Sequence, residues 1–181
     1  MADTDLIKLY SGRILELAAD IPLTTRLDAP DATVKKRSPL CGSTVTVDVS
    51  VEDGRVAAFG QDVKACALGQ ASAAVLASQV IGRTRDEIIA ARDQLKAMLS
   101  GDGGVPVAPF DGYDVLLPAR DFRNRHASIM LALEATAEAM QQAEDRQKSA
   151  RSQTQKSRAS GVGWRRQWRI WFQRQLRLGT E

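Results

Sequence analysis

Apolar residues change their spacing several times along this chain, and each change marks an element. Across residues 4–19, Leu6, Leu9, Tyr10, Ile14 and Leu17 recur at helical spacing, behind Asp3 and Asp5, acids that favour a helix start. Ile21-Pro22 ends this helix. Residues 22–39 are polar and irregular, broken by Pro30 and Pro39, with a short edge strand expected over 34–37. From Thr44 the period drops to two. Val45, Val47, Val49 and Val51 alternate with Thr44, Thr46, Asp48 and Ser50, which predicts a half-buried strand. Residues 55–64 return as its partner across Asp53-Gly54, a type I′ hairpin signal. A strict register about that turn sets Cys41 opposite Cys66 at the open end of the hairpin; a bulge would shift the pairing by one residue.

Beyond the hairpin the period lengthens again. Residues 67–81 are rich in Ala and Ser and predict a helix able to pack closely on its neighbours, closed by Gly82. Thr84-Arg85-Asp86-Glu87 reads as a capping box for the next helix, whose buried stripe is Ile88, Ala91, Leu95 and Met98. Residues 105–125, with Pro106, Pro109 and Pro118, predict a loop holding a short apolar segment at 115–117. A further helix starts near His126, with Ile129, Met130, Leu133, Ala137 and Met140 on its inner face. These elements predict a two-layer α+β domain: a small antiparallel three-stranded sheet packed by helices on one face.

Charge divides the chain where the pattern does. Residues 146–181 carry ten of the 25 Lys and Arg and one of the 22 acids, so the first 145 residues hold 15 basic and 21 acidic side chains. An acidic domain, 1–145, therefore carries a basic appendage. Within it, 146–163 has almost nothing to bury and reads as a flexible linker or a frayed helix extension. Residues 164–181 put Trp164, Trp168, Trp171, Phe172 and Leu176 on one helical face and Arg166, Arg169, Gln173 and Arg177 on the other. Such an amphipathic basic helix docks on a partner or on its own domain, lies on a membrane surface, or binds nucleic acid, in that order of preference. No run approaches the roughly 18 apolar residues of a spanning helix. No secretory signal is visible, so a reducing cytoplasm is expected, where cysteines stay thiols.

Cys41, Cys66 and the single histidine, His126, are the candidate chemistry. Cys66 falls where a strand hands over to a helix, and the positive end of a helix dipole favours thiolate, the form that binds metal and attacks sulfur. By themselves the three are read equally well as a small buried hydrophobe and a surface cap.

The motifs around them add a resemblance. Ser38-Pro39-Leu40-Cys41-Gly42, then Val63-Lys64-Ala65-Cys66-Ala67-Leu68 with its Ala/Ser-rich helix, then Arg125-His126-Ala127-Ser128, resemble the iron–sulfur cluster assembly scaffolds of the IscU, SufU and NifU N-terminal type. The opening helix, with Leu9-Tyr10-Ser11, is similar too. The resemblance spans roughly residues 4–140. It implies a scaffold rather than an enzyme, with a [2Fe–2S] cluster or iron bound transiently and passed to acceptor proteins, and a cysteine desulfurase as sulfur donor. The family pattern has three cysteines and an aspartate two residues after the first. Here Ser43 stands where the aspartate is expected, and His126 or Ala127 stands at the third cysteine, His126 being preferred. The implied ligand set is Cys41, Cys66 and His126, with Ser43 as a weak fourth. The alternatives are a zinc-bound sulfur acceptor for the desulfurase, and a metal-free binding protein that keeps the fold.

Overall fold

The alternating valines of strand β2 (Thr44–Glu52) form the centre of the sheet, between β1 (Ala32–Arg37) and β3 (Arg55–Lys64), both antiparallel to it. A computed structural model describes residues 12–39 and 41–175, and side chains outside 156–175. The expected edge strand is β1, two residues longer than its pattern suggested. Asp53 (φ 50°) and Gly54 (φ 74°) both lie in the left-handed region, as a type I′ turn requires. The register breaks directly behind the turn. Val51 pairs with Val56, but Ser50 pairs with Ala58, and the shift carries through to Thr44 opposite Lys64. This bulge removes the strict Cys41–Cys66 pairing, and both cysteines lie beyond the strand ends.

Val45, Val47, Val49 and Val51 are buried, as their alternation predicts, but so are Thr46 and Asp48 on the opposite face. Asp48 has no exposed surface. The irregular segment before β1 crosses that face: Gln61 N–H donates to Leu23 O (2.9 Å), and a Cβ on Gly60 would meet Thr25 O at 2.5 Å. Arg26 Nη2 donates to Asp48 Oδ1 (2.8 Å), with Arg26 Nε on the other oxygen. Leu27 N–H (3.2 Å) and Thr33 Oγ1 (2.6 Å) complete the set.

Helices cover the valine face. The described part of the first is α1 (Gly12–Ala19), which packs on α2 (Ala67–Gln79); residues 4–11 of the expected helix lie outside the described residues. In α2 every residue from 68 to 77 except Gln70 is buried, which its small side chains permit. The capping box holds at α3 (Arg85–Ser100): Glu87 N–H donates to Thr84 Oγ1, and Thr84 N–H donates to Glu87 Oε2. The expected loop is tighter than its prolines suggest. Asp111–Asp121 winds as 3₁₀ turns, because Tyr113, Leu116 and Ala119 bury at a three-residue repeat.

The last helix, α4 (Arg123–Gln175), buries Ile129, Met130, Leu133, Ala137 and Met140 as predicted. It runs on through 146–163, whose Ala, Gln, Lys and Arg are good helix formers. The chain divides into two compact units, Met1–Glu144 and Asp145–Glu181. The side chains of the expected amphipathic face at 164–181 lie outside the described residues. No helix among the described residues is long and apolar enough to cross a membrane.

Candidate metal and sulfur site

Three segments bring polar side chains to one end of the sheet. The first is the turn between β1 and β2, closed by Ser38 N–H on Ser43 O (2.8 Å) and Gly42 N–H on Ser38 O (3.1 Å), with Gly42 at φ 71°. The second is the junction of β3 and α2, where Cys66 is the N-cap residue, in extended conformation and with no capping bond from its side chain. The third is the start of α4, which supplies Ser128.

These groups form a chain of close contacts. Cys41 Sγ lies 3.3 Å from Ser38 Oγ and 3.1 Å from Ser43 Oγ. Ser128 Oγ donates to Ser43 Oγ (3.1 Å) and lies 3.4 Å from Cys66 Sγ. Ser38, Ser43 and Ser128 are buried, while both cysteines are free thiols and half-exposed. Burial pushes the Cys41 thiol up, but hydrogen bonds from the Ser38 and Ser43 side chains, the Ser43 backbone and Ser128 outweigh it and bring the pKa down to about 7. Hydroxyls turn to suit their partner, so each can donate to a thiolate.

Ser128 reaches this cluster because α2 and α4 meet closely. A Cβ on Gly69 would stand 2.6 Å from Ser128 Oγ and 2.9 Å from Ala65 Cβ. One turn along α2, Ser72 Oγ donates to Ile129 O (2.6 Å) and fixes the same contact.

His126 is not brought to the thiols. Its Nε2 lies 3.0 Å from Ala119 O and 3.1 Å from Arg120 O, and its ring lines a groove of about 280 Å³ that includes Ser38 but neither cysteine. The reason is helical phase. Two residues on a helix are about 200° apart, so a helix that points Ser128 at Cys66 turns His126 away. Ser128, which the sequence did not single out, is the residue of this helix that reaches Cys66 and Ser43. Its signal is a buried stripe of small residues, Ser128, Ala132, Ala135, Ala139 and Ala143.

The donor set is therefore two thiols and three hydroxyls. No group of three His, Cys, Asp or Glu side chains placed to hold a metal ion exists among the described residues. That set does not fit a resident zinc ion, which takes thiolate, imidazole or carboxylate ligands. Nor does it enclose a cluster, which is ordinarily held by four cysteines.

No family model matches the chain. It is 31% identical over 96 residues to the iron–sulfur cluster assembly scaffold protein IscU of Thermotoga maritima; the match takes in 52% of this chain and 66% of the relative, just under two thirds of its length. The crystal structure of a nitrogen-fixing NifU-like protein (N-terminal) from Brucella abortus superposes with a TM-score of 0.75 at 44% identity, covering 78% of this chain and 98% of that one. A putative scaffold for the SUF system from Fervidobacterium islandicum shares the fold, with a TM-score of 0.67 at 18% identity over 74% of this chain and 98% of its own.

Proposed function

This chain belongs to the IscU, NifU and SufU family of iron–sulfur cluster assembly scaffolds, and from that premise we propose that it carries iron–sulfur cargo at the edge formed by Cys41 and Cys66. The carrying observation is the meeting of the two half-exposed thiols through Ser43 and Ser128 at one end of the sheet. Two thiolates give a cluster an attachment without enclosing it, which suits delivery to an acceptor protein more than storage. The role asks for binding and release, with no turnover of a substrate by the chain itself. Its partners on this reading are a cysteine desulfurase as the source of sulfur and apoproteins as acceptors.

One observation favours a second reading, sulfur acceptance at Cys41. Half ionised near neutral pH, Cys41 is a ready nucleophile. Its thiolate would attack the outer sulfur of a donor's persulfide; the donor S–S bond breaks, the donor leaves as thiolate, and a new S–S bond forms on Cys41. On the same reading the basic aromatic segment 164–181 serves docking to a partner or a membrane surface.

Anaerobic incubation with iron, sulfide and a small thiol tests the first reading. Visible sulfide-to-iron absorption should develop on the full chain and be lost in Cys41→Ser/Cys66→Ser. Equal absorption in that double variant would remove the site from the reading. Deletion of residues 164–181 should leave the absorption unchanged.

A further inference from the structure

Strand β1 has β2 on one side and no strand on the other. Which of its backbone groups face the outer side follows from the turn after it. Ser38 N–H donates to Ser43 O, so residues 38 and 43 form a hydrogen-bonded pair. Bonded and non-bonded pairs alternate in an antiparallel ladder, and the register from Ala32 opposite Val49 to Arg37 opposite Thr44 has no shift. Ala32, Val34 and Lys36 therefore bond to β2, while Thr33, Lys35 and Arg37 turn their N–H and C=O outward. No backbone group among the described residues meets them. The same three residues are exposed. Thr33 Oγ1 is engaged with Asp48, and Lys36 crosses the other face to Glu138 (2.6 Å). Lys35 and Arg37 have no ion-pair partner among the described residues. Proteins blunt such open sides with bulges, proline or charge. β1 has neither bulge nor proline, and only its cations guard it. Alternate residues share one face about 7 Å apart, so Lys35 and Arg37 match acids at alternate positions of an added strand. They turn away a second copy of β1, which would set lysine against lysine. On the other face Lys36 and Arg37 border grooves of about 550 and 280 Å³, lined also by Met130 and Ala137, which leave room for the intervening side chains.

We propose that β1 takes an extended segment of a protein partner as a fourth strand, and that Lys35 and Arg37 select a segment carrying Asp or Glu at alternate positions. Main-chain bonds to Thr33, Lys35 and Arg37 hold the segment, and the two cations choose it. This goes beyond the scaffold reading and does not depend on it, since the segment lies along β1 and away from the thiols.

The probe is a short, capped, fluorescent peptide alternating Glu with Val, added to the full chain; the same peptide with Lys for Glu is the control. Saturable binding of the Glu peptide is expected, weakening as salt is raised, with no binding of the Lys peptide. Amide exchange followed by NMR locates it. The N–H groups of Thr33, Lys35 and Arg37 should exchange fast in the chain alone and slowly with the Glu peptide, while those of Val34 and Lys36 stay slow throughout. Lys35→Glu/Arg37→Glu changes two exposed side chains, and its fold is checked by circular dichroism. It should weaken the Glu peptide about tenfold or more and admit the Lys peptide. Absence of binding, or equal binding of both peptides, overturns the proposal. So does binding that leaves the three amides in fast exchange, which is contact between charges without a strand. Slow exchange of the three in the chain alone overturns it as well, because the chain itself or a second copy then already covers β1. Cys41→Ser/Cys66→Ser should bind the Glu peptide like the parent; loss of binding there would put the peptide at the thiols and refute the assignment to β1.

Discussion

Two polar clusters flank the same strand, and they are built on opposite rules. At Asp48 a fully buried carboxylate is matched by a guanidinium, a backbone N–H and a hydroxyl, so its charge is answered inside the chain. At the cysteine edge the buried groups are neutral hydroxyls, and the ionisable groups are the half-exposed thiols. The first arrangement leaves nothing for a partner to supply. The second leaves the Cys41 thiolate stabilised by hydrogen bonds from neutral groups, with the Cys66 thiol joined to it through Ser43 and Ser128. A structural polar cluster closes on itself, whereas a cargo site keeps capacity facing outward.

Asp48→Ala should separate the two most sharply. Loss of the bonds to its carboxylate is expected to cost about 2–3 kcal/mol, since bonds to a charged group contribute more than neutral ones. Denaturant midpoints read this directly. Arg26→Ala should cost at least as much, because it leaves the fully buried Asp48 carboxylate without its guanidinium. If both variants unfold like the parent, Asp48 is no lock and the contrast fails.

Next in size is Gly69→Ala, at about 1–3 kcal/mol from forcing α2 and α4 apart. Unlike Asp48→Ala, it should also disturb the cysteine edge, because the new methyl meets Ser128 Oγ. Loss of cluster formation in a still-folded Gly69→Ala protein, with Asp48→Asn unaffected, would confirm that the clusters are independent.

Acid sensitivity comes third. The Arg26 side chain holds the Asp48 carboxyl below its usual value against the opposing effect of burial, with help from Thr33 and the Leu27 N–H. A carboxylate lowered on folding contributes stability that is complete above the unfolded value, near 3.9. As pH falls the unfolded chain binds the proton first, so that stability drains away until the folded value is passed. Stability measured downward from about pH 5 should fall less steeply in Asp48→Asn than in the parent.

The smallest effect is at Cys41. In a Cys66→Ser background, alkylation of Cys41 should show a midpoint near pH 7. Ser38→Ala and Ser43→Ala each remove a hydroxyl that stabilises the thiolate, so each should move the midpoint upward. No movement in either variant would show that the hydroxyls do not set thiol ionisation.

Much of the fold is legible in local pattern. The alternation from Val45 to Val51, the left-handed Asp53-Gly54 turn, the Thr84–Glu87 capping box and the inner stripe of α4 are each decided by neighbours within a few residues. The 3₁₀ turns at Asp111–Asp121 are less so, since three prolines in and before them read as loop until Tyr113, Leu116 and Ala119 have a core to enter. Asp48 reads as a surface residue because nothing nearby in sequence shows that residues 22–27 will cross over it.

The cysteine edge divides in the same way. The sequence by itself determined its two thiols, their positions at either end of a hairpin, the family to which those motifs point, and the serine in place of the usual aspartate. Tertiary structure alone decided how the thiols meet and what joins them. A single bulge beside Val51 breaks the register that would have set Cys41 against Cys66, and a turn closed by Ser38 and Ser43 aligns Cys41 instead. Helical phase then chooses Ser128 over His126, two residues and about 200° away. Both are sums over many residues, of pairing offsets in one case and of rotation in the other. A two-residue error in helical phase, invisible in local pattern, therefore exchanges a hydroxyl for an imidazole at the site.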